Sequence, residues 1–471
     1  MSRPLRFGLA AVPLFGVLLA LLAWVEMHGF VSGAVVEMWA KAIVQVEGPQ
    51  AFRATDPFYP PLPYVLSLTL QALVPGTGVP APSLLSAAIG AVLLHAWFGN
   101  LRERGAYDRV SAVLIVVLMA MNPFFLRALA EGPGTMLLLL GFWIYARGLL
   151  NLRLNGTAPD MMKVAVGLLI LPVAHGYGLL LALGTLPFIV IAARPSMLAA
   201  SSLGYIVSMF FPVLAAVGSL VFVATVLDTG IFPTDPAAAV APAGAAAILP
   251  TLCAMIPVGA ALIRTARMPR FVLPLLAGGC SLIGGAVLNM GYGLEPDPAV
   301  IAAPALGLVV VAIRAWPPSG LRAPMIAALL LVSAPMALWS IRAAGGEESQ
   351  RLLQAAAGAQ VADQRAADRA AAEFLEGRDG VLVDVERNPG LVTALGGTGG
   401  LLLAGQSAYD ITMLGGRPRG AWVALRHDPD AIVQRDRLLR AFPQLAKGTA
   451  PPFTLRFTRG PWRIFEITEQ D

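Results

Sequence analysis

Residues Arg53–Leu68 read RATDPFYPPLPYVLSL, an acid and four prolines at the mouth of an apolar run. Whether that run crosses a membrane decides the orientation of everything after it. From Leu62 to Val74 it is 13 residues long, short of the ~20 that a spanning helix needs. If it crossed, the following GNLRERGAYDR would carry Arg102, Arg104 and Arg109 to the outer face, against the tendency of basic loops to stay inside. The segment is therefore expected to dip into the membrane or lie at its surface. Pro57, Pro60, Pro61 and Pro63 remove backbone donors and hold the preceding chain extended.

The membrane itself follows from composition. Of 471 residues, 57% are hydrophobic and 13% charged, against roughly 25% charged in ordinary globular domains. Mean hydropathy is +0.72. The net charge of +5 comes from arginines in short clusters between apolar runs, a pattern of membrane topology that excludes nucleic acid as partner. Cys253 and Cys280 lie inside apolar segments without metal-ligand spacing.

With Arg3 and Arg6 inside, a retained first span is expected from about Phe7 to Val25; its apolar run is long for a signal peptide. Val35, Met38, Trp39, Ala42, Ile43 and Val46 recur at helical spacing opposite Glu37, Lys41 and Gln45, which predicts an amphipathic helix on the membrane surface. Further spans are predicted at about 81–98, 110–125, 134–150, 164–174, 177–193, 203–227, 237–263, 271–290, 299–313 and 323–341, about eleven in all. The inner loops then hold arginine and Lys163, and the outer loops hold Glu26, Asp56, Glu131, Asp228, Asp235, Glu295 and Asp297. The expected fold class is a polytopic α-helical membrane protein with a small C-terminal α/β domain on the outer face. The domains divide as 1–342 and 343–471, with an outer loop of amphipathic and re-entrant helices over 26–80. In the second domain a helix is predicted over Glu347–Leu375, strands at GVLVDV and AWVALR, a helix at DAIVQRDRLLRAF, and a hairpin FTLRFTRGPWRIFEI turned at Gly460 and Pro461.

Charges at span ends that face a cavity are functional candidates. Glu26 ends the first span, Asp56 precedes the prolines, and Glu131 lies between two spans in NPFFLRALAEGPGTML; all three are predicted on one face. Arg127, one turn before Glu131, is spaced either to pair with it or to act on a ligand. His175, in LPVAHGYG, is either a helix-end histidine or a polar group reaching the same cavity.

Taken in order, these segments resemble the GT-C superfamily of membrane glycosyltransferases, especially the branch containing lipid A aminoarabinose transferases and protein O-mannosyltransferases. Pro60-Pro61-Leu62 with Tyr64 matches the family's proline segment, Asp56 stands near the acid before it, and Glu131 occupies the acidic position of the second outer loop. LPVAHGYGLLLAL is similar to the segment where the family commonly has Lys-Gly, which puts His175 at a cationic position. In place of the family's Asp-Glu pair after the first span there is Glu26 followed by Met27 and His28, and Tyr59 replaces the lysine before the paired prolines. The resemblance implies an enzyme of the bacterial inner membrane, N-terminus cytoplasmic and C-terminal domain periplasmic. It implies transfer of a sugar, with inversion, from a polyprenyl-phosphate donor to a lipid, polysaccharide or protein acceptor. Asp56 and Glu26 are then candidates for the base. Glu131, His175, Arg127, Arg53 and Tyr59 are candidates for substrate binding. Glu131 would also suit a divalent metal, although no multi-carboxylate spacing argues for a tight site. The alternative is a non-catalytic assembly subunit or a lipid-linked sugar flippase. Span interiors nearly free of ionisable residues argue against ion-coupled transport, and no Walker loop or nucleophile elbow is visible.

Overall fold

The structure is a computed structural model that describes residues 3–48, 60–74, 78–226, 245–414, 420–427, 436–447 and 452–468. It divides into two compact units. One comprises Met1–His28, Pro57–Pro63 and Ser83–Val361, the other Gly29–Asp56, Tyr64–Pro82 and Ala362–Asp471. The division thus falls later than the boundary expected at 342, and the second unit also takes in the chain after the first span.

In chain order the helices begin with α1 (Arg3–Met27), α2 (Gly33–Glu47), α3 (Pro61–Leu73) and α4 (Ala81–Glu103). The 13 residues of α3 reach only ~20 Å at 1.5 Å per residue, too short to span. Asp108 starts α5 (Arg109–Ala120) by accepting the Ser111 N–H at 2.9 Å. The single span expected over 110–125 is instead broken. Asn122 caps a new helix, Pro123 fits its first turn where no donor is needed, and α6 (Pro123–Glu131) leaves α5 at 62°. Then come α7 (Pro133–Asn155), α8 (Ala158–Ala174), α9 (Gly176–Thr185), α10 (Ile189–Ala192) and α11 (Pro195–Val226), the last interrupted at Ser201. A bent pair, α12 (Leu249–Ala254) and α13 (Ile256–Thr265), leads into α14 (Pro269–Tyr292), α15 (Pro298–Ala302), α16 (Ala305–Ala315), α17 (Arg322–Ala344) and α18 (Glu347–Ala356). Among the described residues, six helices are long and apolar enough to cross a membrane, or up to eight if each of two bent pairs is one span.

Glycine sets how closely these helices pack. A Cβ on Gly167 of α8 would lie 2.5 Å from the Tyr145 nitrogen of α7, and one on Gly184 of α9 would lie 2.5 Å from the Gly285 nitrogen of α14. Without those side chains the backbones touch, as expected where lipid supplies little hydrophobic drive between helices. Val110, Leu114, Phe211, Leu214, Phe222 and Leu331 remain exposed, an apolar surface suited to acyl chains.

In the second unit, α19 (Ala366–Leu375), β1 (Val381–Val383), α20 (Pro389–Leu395), β2 (Leu401–Leu402), α21 (Ser407–Met413), β3 (Trp422–Arg426), α22 (Arg437–Ala441), β4 (Phe453–Arg459) and β5 (Trp462–Ile467) surround a sheet of order β2-β1-β3-β5-β4. β1 pairs in parallel with β2 and β3, and β5 runs antiparallel between β3 and β4. Both faces are covered: Val381, Val383 and Ile464 belong to one core with Leu391 and Trp462, and Leu382, Val423 and Phe465 to another with Tyr409 and Leu438. The two strands and the hairpin match the sequence expectation. The helix expected over 347–375 is two helices, because the chain turns at Gly358, where φ is +85°. Most of the helix expected over 430–442 lies outside the described residues, and its described end forms α22. The surface helix also needs correction. Trp39, Ala40 and Ile43 of α2 join the core with Val381 and Leu391, so its apolar face is covered by the α/β unit. The Glu37/Lys41 pair forms at 2.7 Å, and both residues line a cavity with Asp384, Glu386 and Pro389 of the same unit.

Candidate functional site

The helical unit buries an ionic cluster centred on Arg127, whose side chain is 2% exposed. Every guanidinium nitrogen is engaged. Nε donates to Asp297 Oδ2 at 3.2 Å and to Ser349 Oγ at 2.8 Å, Nη1 to Glu131, and Nη2 to Glu348 Oε2 at 3.1 Å. The sequence places these partners for local reasons. Glu131 is four residues on along α6, one helical turn away. Asp297 is the N-cap of α15, where Pro298 opens the helix; its Oδ1 accepts the Ala299 N–H at 3.0 Å and the Gly346 N–H at 3.3 Å. Glu348 and Ser349 lie in the first turn of α18.

A second polar pair adjoins it. His175 separates α8 from α9, and its Nδ1 accepts the Tyr177 N–H at 3.2 Å as the N-cap of α9. Its Nε2 lies 3.5 Å from Glu295 Oε2. Glu295 is held from both sides. Asn289 Nδ2 donates to its carbonyl at 2.8 Å, Asn289 Oδ1 accepts its N–H at 3.0 Å, and Glu295 Oε1 accepts the Asp297 N–H at 2.9 Å. Burial lowers His175 to about 4. Burial, then the nearby Glu131 and Asp297 carboxylates, push Glu295 well above the usual carboxylate range. The Tyr177 hydroxyl is buried and makes no hydrogen bond among the described residues.

Arg127, Glu131 and His175, three of the expected site residues, therefore come together, and Arg127 does pair with Glu131. Glu26 is exposed in the last turn of α1 and is not among the carboxylates paired with Arg127. Arg53, Asp56 and Tyr59 lie outside the described residues. The sequence places Glu295 and Asp297 among the outer-loop acids without marking them as site residues, and it does not mark Glu348, Ser349 or Asn289. The sequence carries one signal for the first two: LEPDPAV sets acids against prolines just before an apolar run, as the chain does at Asp56. Among the described residues no group of three or more His, Cys, Asp or Glu is placed to hold a metal. A guanidinium occupies the centre of the acids, where a cation would otherwise sit.

The solved structures that this fold matches include ArnT from Cupriavidus metallidurans bound to undecaprenyl phosphate. The TM-score is 0.57 at 13% identity, covering 96% of this chain and 97% of that one. The apo oligosaccharyltransferase of Archaeoglobus fulgidus is matched at a TM-score of 0.45 and 11% identity, over 88% of this chain and 69% of that one. No protein-family model and no curated protein matches the sequence. The chain thus shares its fold with the matched ArnT structure over nearly its whole length.

Proposed function

We propose that this protein transfers a sugar from a polyprenyl-phosphate donor to an acceptor of the cell envelope, at the outer face of the inner membrane and with inversion. One observation carries the proposal: 96% of the chain follows the fold of ArnT, whose matched structure holds undecaprenyl phosphate. The chemistry suits the residues. An acceptor hydroxyl is a weak nucleophile at neutral pH, so a carboxylate that takes its proton during attack lowers the barrier. The new bond forms from acceptor oxygen to anomeric carbon as the bond to the phosphate oxygen breaks, and the lipid phosphate leaves with the electron pair. A cation beside that phosphate stabilises the charge it gains.

Asp56 is the proposed base, with Glu26 orienting the acceptor. Arg53, Tyr59 and His175 are proposed on the donor side. Arg127 has its nitrogens on three carboxylates and a serine, so its role is to hold Glu131 and Asp297 in place near the substrate rather than to grip the phosphate. Glu131 is proposed to bind sugar hydroxyls. The proposed topology groups the helices into eleven passages: α1, α4, α5 with α6, α7, α8, α9 with α10, α11, α12 with α13, α14, α15 with α16, and α17. The N-terminus lies inside and the α/β unit is periplasmic. A reporter fused after Ile341 tests this, and a cytoplasmic signal would overturn it.

The activity is tested with purified protein, a panel of polyprenyl-phosphate sugars and cell-envelope acceptors, measuring release of free polyprenyl phosphate. Acceptor-dependent release, lost in folded Asp56→Asn and reduced in Glu26→Gln and Glu131→Gln, is expected. No release across the panel, with donor binding intact in every variant, would favour an assembly subunit or flippase.

A further inference from the structure

The end of the helical unit away from Arg127 gathers three arginines, on which Glu103 and Asp160 act only from beyond ion-pair distance. Arg147 lies 14 residues beyond Pro133, which opens α7, ~21 Å along the helical rise. One turn further along α7 is Asn151, fully buried. Its Oδ1 accepts from two guanidinium groups, Arg104 Nη1 at 3.3 Å and Arg314 Nη2 at 2.9 Å. Arg104 follows α4 and Arg314 ends α16, so three helices converge here. The Arg147 guanidinium lies 5.2 Å from the Trp143 ring centre.

Two features separate this group from an ordinary basic loop. First, among the described residues none of Arg104, Arg147 and Arg314 has a carboxylate within the 4.0 Å of an ion pair. Asp160, the buried acid nearby, is already engaged by Thr157, Asn155 and Lys163. Second, Arg147 Nε, Arg314 Nη1 and Asn151 Nδ2 are buried with no acceptor among the described residues. All three are donors. Arg194 shows the contrast, with its donors on the carbonyls of Arg153 and Leu154. Buried donors without acceptors are costly, and like charges brought together add to that cost. An oxyanion with several acceptor oxygens relieves both, and guanidinium forks favour phosphate in particular.

We propose that Arg104, Arg147, Arg314 and Asn151 form a binding site for a phosphate group, separate from the Arg127 cluster and independent of the transferase activity. The phosphate belongs either to the headgroup of an anionic phospholipid or to a free phosphate ion. Its depth at the basic ends of the helices suits a headgroup.

The test uses the full chain, delipidated in neutral detergent. Native mass spectrometry measures retention of phosphatidylglycerol against phosphatidylcholine, and thermal unfolding is followed with and without inorganic phosphate. Asn151→Asp places a carboxylate where the ligand's charge would sit and keeps the acceptor for Arg104 and Arg314. It is expected to fold, to raise the unfolding temperature of the lipid-free protein, and to weaken retention about tenfold or more, a loss of one charge-assisted contact. Arg147→Gln with Arg314→Gln is expected to abolish retention. Selective binding of phosphatidylglycerol, lost in Asn151→Asp and without a response to inorganic phosphate, assigns the site to a lipid headgroup. A rise in unfolding temperature with inorganic phosphate, absent from Asn151→Asp, assigns it to the free ion. Equal retention of both lipids by wild type and Asn151→Asp, with no response to phosphate, would overturn the proposal.

Discussion

Nε2 of His175 lies 3.5 Å from Oε2 of Glu295, and the Nδ1 of the same ring accepts the Tyr177 N–H. An acceptor at Nδ1 puts the proton of the neutral ring on Nε2, facing the carboxyl group. The pair titrates in opposite senses. Burial lowers His175 from 6.5 to about 4, so between those values the unfolded chain binds a proton that the folded one does not. Its contribution to stability is present above pH 6.5 and is lost as pH falls towards 4, on the order of 3 kcal/mol at ~1.36 kcal/mol for each tenfold change in protonation. Glu295 is raised above its ordinary 4.5, so its contribution is present below 4.5 and is lost as pH rises. Unfolding midpoints measured from pH 4 to 8.5 check both limbs. His175→Asn, which keeps an N-cap acceptor, should flatten the acid limb, and Glu295→Gln the alkaline one. Three parallel curves would refute the assignment.

Arg127→Met leaves Glu131, Asp297 and Glu348 without their shared cation. Breaking a buried ion pair by removing one partner costs ~3–5 kcal/mol, and Arg127→Lys should recover only part, since one ammonium cannot reproduce the fork. Thermal unfolding in detergent measures this. Wild-type stability in Arg127→Met would mean that the acids are solvated or protonated.

Gly184→Ala should loosen the contact between α9 and α14, because the added Cβ meets the Gly285 nitrogen at 2.5 Å and the Gly284 carbonyl carbon at 2.9 Å. Backbone cannot rotate away as a side chain can, so the loss is expected at the overpacking scale of ~1–3 kcal/mol. Gly176→Ala, on the same helix with nothing within 4 Å, is the matched control. Equal stabilities would show that the helices separate freely.

Asp436 is 2% exposed and receives four donors. Oδ2 accepts from Arg426 N–H and Asn388 Nδ2, and Oδ1 from Leu438 N–H and Leu439 N–H. Burial raises it to about 6, yet Asp436→Asn should still destabilise the α/β unit, by ~1–3 kcal/mol, because an amide nitrogen then faces donors on whichever side it turns. Hydrogen exchange of the Arg426 and Leu438 amides would report it. Unchanged protection at pH 7 would count against this.

The acids show how far local pattern carries. Glu131 was legible because it stands between two apolar runs, and its bond to Arg127 because four residues make one turn. Asp297 and Glu348 are 170 and 221 residues from Arg127, and no local periodicity links them. The break at Asn122 and Pro123 was written in the sequence as cap and first-turn residue but was masked by the apolar run around it.

By itself the sequence determined the membrane class, the order of apolar helices, the strands Val381–Val383 and Trp422–Arg426, and the closing hairpin. These depend on hydrophobic periodicity and turn chemistry, which act over a few residues. Tertiary structure alone decided that the apolar face of α2 is covered by the α/β unit, that one arginine gathers three acids, and that Arg104 and Arg314 share one amide oxygen. In each case the outcome depends on which distant surface arrives to replace lost water, and that is settled only when the helices and strands pack.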